Sequence, residues 1–164
     1  MSQPPPTTIH FSQKVLSQIQ HSLAEANRDF EVGGLLLGYH LQNCFSVVAA
    51  TVSSPCPSDS AVSFTLDGPF HTKQALKLLH QFQNKPELLG VWHSHLCDAA
   101  VFSEQDRQSN RHLAADFDGI LSVIVVPLPQ QRIHLNAYYI YPNGEEVVCD
   151  VVVAEAKNFE KEEN

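Results

Sequence analysis

Positive charge is what this 164-residue sequence has least of: ten Lys and Arg stand against eighteen Asp and Glu, a formal net charge of −8. Such a chain has no basic stripe of the kind that drives binding to DNA, RNA or anionic membranes, so no nucleic acid and no membrane is expected among its partners. Long apolar runs are missing as well. Nothing approaches the roughly 18 uninterrupted apolar residues that a membrane helix needs. The opening stretch, Met1 to Thr8, carries neither a basic region nor an apolar one, so no signal peptide is expected there. Cysteine is sparse: Cys44, Cys56, Cys97 and Cys149 are scattered, with no Cys-x-x-Cys pair. With no export signal, that spacing predicts reduced thiols rather than a disulfide frame or structural zinc knot, and a cytoplasmic location.

What is present suffices for a packed core. The sequence is 43% hydrophobic and 17% charged, and its length suits one domain. It divides into a Pro/Thr leader over 1–8, a single domain over 9–153 and a charged tail over 154–164. Val15, Leu16, Ile19 and Leu23 recur at helical spacing between Ser12 and about Asn27, with Ser12 placed to cap the start. The run from Gly33 to Gly38 reads as a buried strand, and Cys44 to Ser53 as a second. A breaker cluster from Ser54 to Ser60 follows, then a brief strand over Val62 to Thr65.

Asp67 to about Gln83 reads as a helix opened by Pro69, with Ala75, Leu78, Leu79 and Phe82 as its apolar stripe. Leu88 to His95 reads as a strand and Ser103 to about Ala115 as a third helix. Three strands complete the chain: Ile120 to Val126, Arg132 to Tyr141 and Glu145 to Val153, the last two joined by a turn at Pro142-Asn143-Gly144. This order predicts an α/β (α+β) fold with a mixed central β-sheet flanked by helices.

The chemistry lies in Trp92-His93-Ser94-His95 and, after seven residues, Ser103-Glu104-Gln105-Asp106. Residues two apart on a strand share a face, so His93 and His95 project together. Residues three apart on a helix also share a face, which puts Ser103 and Asp106 on one side of its first turn. A strand running through a loop into a helix can then converge two imidazoles and a carboxylate. Three such ligands with a fourth position open are the donor set of a catalytic zinc, which serves hydrolysis by activating water and polarising a carbonyl.

Hydrolysis also requires a base and an oxyanion donor. Ser103, near the positive end of a helix, fits the donor. Glu31, at the mouth of the apolar strand, is the best placed base. Plainer readings stand beside these. The histidines suit a strand's core or surface, and Ser103 with Asp106 suits a capping box in which Asp106 cannot fully serve as both cap and ligand. Glu31 suits a helix exit loop, and Cys97 a spectator thiol. His71, His80, His112 and His134 fit no ligand spacing and read as surface or packing residues.

The pattern Glu31-Val32-Gly33-Gly34-Leu35-Leu36-Leu37-Gly38, with His93-x-His95-x₇-Ser103-x-x-Asp106 and the lead-in Leu89-Gly90-Val91-Trp92, resembles the JAMM (MPN+) metallopeptidase family, in its small prokaryotic single-domain form. The resemblance spans about residues 9–153. It implies Glu31 as general base, His93, His95 and Asp106 as ligands of one catalytic Zn²⁺, and Ser103 as support for the tetrahedral intermediate. It also implies an MPN fold related to cytidine deaminase. The substrate it implies is a ubiquitin-like or sulfur-carrier protein, cut at the amide bond after its C-terminus, with activating- and conjugating-enzyme homologues as associates of some members. An extended substrate tail is expected to add along a sheet edge near the metal.

The family usually has proline where this chain has Leu96 and Phe102, and losing both fixed φ angles predicts a more mobile loop. A non-catalytic MPN scaffold is the alternative function; such domains commonly lose ligands that this chain keeps. Nucleobase deamination wants His-x-Glu and Pro-Cys-x-x-Cys, and Pro55-Cys56 lacks the second cysteine.

Overall fold

The computed structural model describes residues 7–25, 31–52, 68–96 and 101–154. In chain order its elements are β1 (Thr8–Ser12), α1 (Gln13–Glu25), β2 (Gly33–Leu41), β3 (Cys44–Ala50), α2 (Gly68–Leu79), β4 (Glu87–Ser94), α3 (Glu104–Asp116), β5 (Ile120–Pro127), β6 (Ile133–Ile140) and β7 (Glu146–Ala154). The strand expected at Val62–Thr65, the helix start at Asp67, the tail beyond Ala154, Cys56 and Cys97 lie outside the described residues.

The expected sheet between helices is corrected in one respect: the strands close into a barrel in the order β1-β3-β2-β4-β5-β6-β7. Closure depends on β1, which has only five residues and follows directly on the Pro/Thr leader. Ile9 and Phe11 alternate with Thr8 and His10, and the two apolar side chains are fully buried. β1 runs parallel to both β3 and β7, so it bridges what would otherwise be two open edges.

A ring buries one side of every strand inside itself. Ile9, Phe11, Leu36, Phe45, Val47, Trp92, Leu121, Val123, Val125, Ala137 and Cys149 form a single interior core, to which α1 adds Val15, Leu16 and Ile19. Ser12 starts that helix: its Oγ accepts from the Val15 N–H at 3.2 Å. The other two helices lie outside the ring. α2 lays Ala75, Leu78 and Leu79 on Leu35, Leu37 and Ala49. α3 lays Leu113 and Ala114 on Ile120, Ile124 and Val126. β5 is thus covered on both faces, which accounts for its unbroken apolar run.

β4 pairs antiparallel with β2 and parallel with β5. Leu36 faces Gly90 but Leu37 faces Leu88, so Leu89 is an extra residue, a β-bulge. The bulge lets Leu89 and Trp92, three apart, both join the interior core. His93 then falls on the outer side, toward α3. At the far hairpin, Gly144 sits at φ +86°, a conformation that favours glycine, and its N–H reaches the Tyr141 carbonyl at 2.8 Å.

Candidate metal centre

The site begins where β4 runs out. His93 and Ser94 are its last residues, and the His95 N–H still bonds the Val125 carbonyl at 3.0 Å, extending the ladder to β5 by one step. Both imidazoles are therefore carried by a strand clamped on each side, and they are 7% and 6% exposed. Their Nε2 atoms approach to 2.9 Å. From α3, Asp106 completes the group: Oδ2 lies 3.2 Å from His95 Nε2 and Oδ1 lies 3.4 Å from His93 Nε2. All three ligand atoms fall within 4.8 Å of one another, the one such group of three or more among the described residues.

α3 owes its first turn to the same atoms. Ser103 is the N-cap; its Oγ accepts from the Asp106 N–H at 3.1 Å, while Asp106 Oδ2 accepts from the Ser103 N–H at 2.8 Å. The capping box and the convergent group thus share one carboxylate. A carboxylate offers about four lone-pair sites, enough for the Ser103 amide and for a further partner on the side of the imidazoles. Burial by itself raises the acid's pKa, but hydrogen bonds from His93 and His95, the charge on His93 and the Ser103 amide outweigh it. Together they hold Asp106 well below the ordinary carboxylate range.

Two imidazole nitrogens and a carboxylate oxygen converging at this spacing fit a divalent cation of intermediate softness. Without one, the three acceptors would need shared protons to sit this close. Ser103 is exposed beside the group, and because Oγ accepts from the Asp106 amide its own O–H remains to donate. Glu31 is buried, 6% exposed, two residues before the start of β2. Gly33 faces His93, and the Ser94 N–H bonds the Val32 carbonyl at 2.7 Å. That pairing brings the backbone next to Glu31 up against the end of β4 that carries the imidazoles.

The amino-acid sequence matches the prokaryotic homologues of the JAB domain over residues 12–141. The chain belongs to that family. No curated protein matches it. The JAB-domain chain is also similar to the solution structure of protein DSY2949 from Desulfitobacterium hafniense, with a TM-score of 0.69 and 21% identity over 90% of this chain and 93% of that one; the likeness is one of fold. No helix among the described residues of this JAB domain is long and apolar enough to cross a membrane.

Other residues support the centre without any motif to announce them. Phe102, standing where the family usually has proline, is 4% exposed; its ring lies 6.4 Å from that of His93 and 4.7 Å from that of Tyr138. Its carbonyl accepts from Arg107 Nη1 at 2.9 Å, and Arg107 Nε bonds Glu146 at 3.0 Å. At this end of the loop, packing against His93 and Tyr138 stands where the family has a proline ring. Leu96 is exposed. Behind β2, Thr51 binds the Leu35 N–H through Oγ1 at 2.7 Å and the Trp92 indole through its carbonyl at 2.9 Å. Its Oγ1 also meets Nδ1 of His71, a packing histidine as expected, at 2.6 Å.

Proposed function

We propose that this JAB domain is a zinc-dependent peptidase or isopeptidase acting on the amide bond that follows the C-terminus of a ubiquitin-like or sulfur-carrier protein. The observation that carries the reading is the convergence of His93, His95 and Asp106 beside an exposed Ser103 hydroxyl and a buried Glu31. His93, His95 and Asp106 would hold the ion. A zinc ion there supplies a lowered pKa for water and polarisation of the scissile carbonyl.

Glu31 takes the proton of the attacking water and returns it to the departing amine, the work of a general base that becomes a general acid. Its burial beside the opening of β2 holds the carboxylate in place. Ser103 donates its spare hydrogen to the carbonyl oxygen as that oxygen gains charge, and the N-terminus of α3 favours the same charge. Asp106 would bind the ion as its anion, the form that the Ser103 amide also favours. The acidic balance of the chain and its scattered cysteines, with no Cys-x-x-Cys pair, suit a cytoplasmic enzyme working on a protein substrate made ready by activating enzymes.

The test is hydrolysis of a fusion in which a ubiquitin-like domain ending in Gly-Gly is joined to a reporter peptide. Wild-type protein with one equivalent of zinc should cleave after Gly-Gly, and Glu31→Gln should lose about 10²–10⁴-fold in rate while keeping its zinc. A folded protein that takes up no zinc would leave the scaffold reading in its place.

A further inference from the structure

Resting on the hydrolase reading above, we infer that Ser94, the residue between the two histidines, is a positioning residue that fixes the base Glu31 relative to the metal ligands. In an antiparallel ladder the Val32 N–H would donate to the Ser94 backbone carbonyl. Here it donates to the Ser94 side chain, Val32 N to Ser94 Oγ at 3.0 Å, while the Ser94 N–H bonds the Val32 carbonyl at 2.7 Å. The side chain of Ser94 is fully buried, so no water competes for that bond. Val32 is the residue next to Glu31, and Ser94 is the residue next to both His93 and His95.

One hydroxyl thus fastens the backbone that carries the base to the backbone that carries the ligands, at the point where β2 has ceased to pair as a strand. With the Ser94 N–H to Val32 carbonyl bond, this hydroxyl ties together two segments that lie 62 residues apart. Gly33 opposite His93 has no side chain with which to brace the gap. Removing the hydroxyl leaves a buried Val32 N–H without its acceptor and frees the segment bearing Glu31 to shift. A shift of about 1 Å in a catalytic group can cost roughly a hundredfold in rate.

Three measurements on the full chain test this. In metal-free protein, backbone amide exchange at Val32, followed by NMR, should speed up at least about tenfold in Ser94→Ala, one bond's protection; Ser94→Thr, which returns an acceptor, should recover protection. With zinc loaded and one equivalent retained, Ser94→Ala should lower kcat on the Gly-Gly fusion by roughly 10- to 100-fold with KM little changed, and Ser94→Thr should regain most of it. Combined with Glu31→Gln, Ser94→Ala should add no further loss, because it acts through the glutamate.

Unchanged exchange at Val32, an unchanged kcat, or a full additional loss in the double variant would overturn the assignment. Should Ser94→Ala not fold, Ser94→Cys, a weaker acceptor, is judged by the same three measurements. Glu31→Gln turning over at the wild-type rate would instead refute the base itself, while the exchange at Val32 would still report whether the tether exists.

Discussion

Because Asp106 serves as both helix cap and candidate ligand, two substitutions at this one position should come apart. Asp106→Asn keeps a carbonyl oxygen that can accept the Ser103 N–H, now 2.8 Å from Oδ2, and so keeps most of the capping box. It removes the charge that favours the helix N-terminus, worth about 0.3–1 kcal/mol, and weakens the bonds to both imidazoles. Asp106→Ala loses the cap as well, a further cost of about 1 kcal/mol. In metal-free protein the expected order of stability is therefore wild type, then Asn, then Ala, read from urea unfolding.

Zinc should separate them differently. At a hundredfold excess over its Kd a ligand stabilises the native state by about 2.7 kcal/mol. For a chain of this size that raises Tm by about 5–11 °C, at roughly 2–4 °C per kcal/mol. Wild type should show the full shift; both variants should lose nearly all of it, since an amide and a methyl are poor zinc ligands. Differential scanning calorimetry with and without chelator measures it. An Asp106→Asn protein that keeps the wild-type zinc shift would refute the assignment of Asp106 as a ligand.

Other outcomes follow from the same geometry. The anionic form of Asp106 is favoured in the fold, so its contribution to the metal-free protein should be complete above the ordinary carboxylate range and decline as pH falls below about 4; the stability gap between wild type and Asp106→Asn, measured at pH 7, 5 and 3, should persist at 5 and shrink at 3. Gly34→Ala would set a methyl group on the Thr51 carbonyl, a backbone atom that cannot swing away, and should cost about 3 kcal/mol or more in urea unfolding. Trp92→Phe leaves that same buried carbonyl without its indole donor and should cost about 1–3 kcal/mol by the same assay. Phe102→Ala opens the aromatic wall beside His93 and should cost about 3–5 kcal/mol, with weaker zinc binding by calorimetric titration.

The histidines and Asp106 were legible because two short-range periods, two on a strand and nearly four on a helix, suffice to aim them. Helices and strands with an apolar face, such as α1 around Val15, Leu16 and Ile19 or β5 around Ile120 to Val126, were legible for the same reason. β1 was not: Thr8–Ser12 has too few residues for its alternation to stand out from the leader, and its worth lies wholly in distant partners. The inward turn of Leu89 was hidden too, since a bulge breaks the alternation from which facing is read. Ser94 looked like a spacer, and only the geometry of Val32 gives its hydroxyl a task. Phe102 looked like a missing proline, and its role appears only once His93 and Tyr138 stand on either side of it.

The seam between β1 and β7 has a consequence for timing. Thr8 lies beside Asp150, so the contact that completes the ring joins residues roughly 140 positions apart. Contacts of that separation form slowly, and the hydrogen bonds that join the first strand to the last must wait for the last to be made. During synthesis the nascent chain emerges with its earliest strand partnered on one flank at most. The candidate metal ligands, all contributed by the middle of the chain, can gather before the seam is sewn, and trimming either end should slow the final step more than it disturbs the centre.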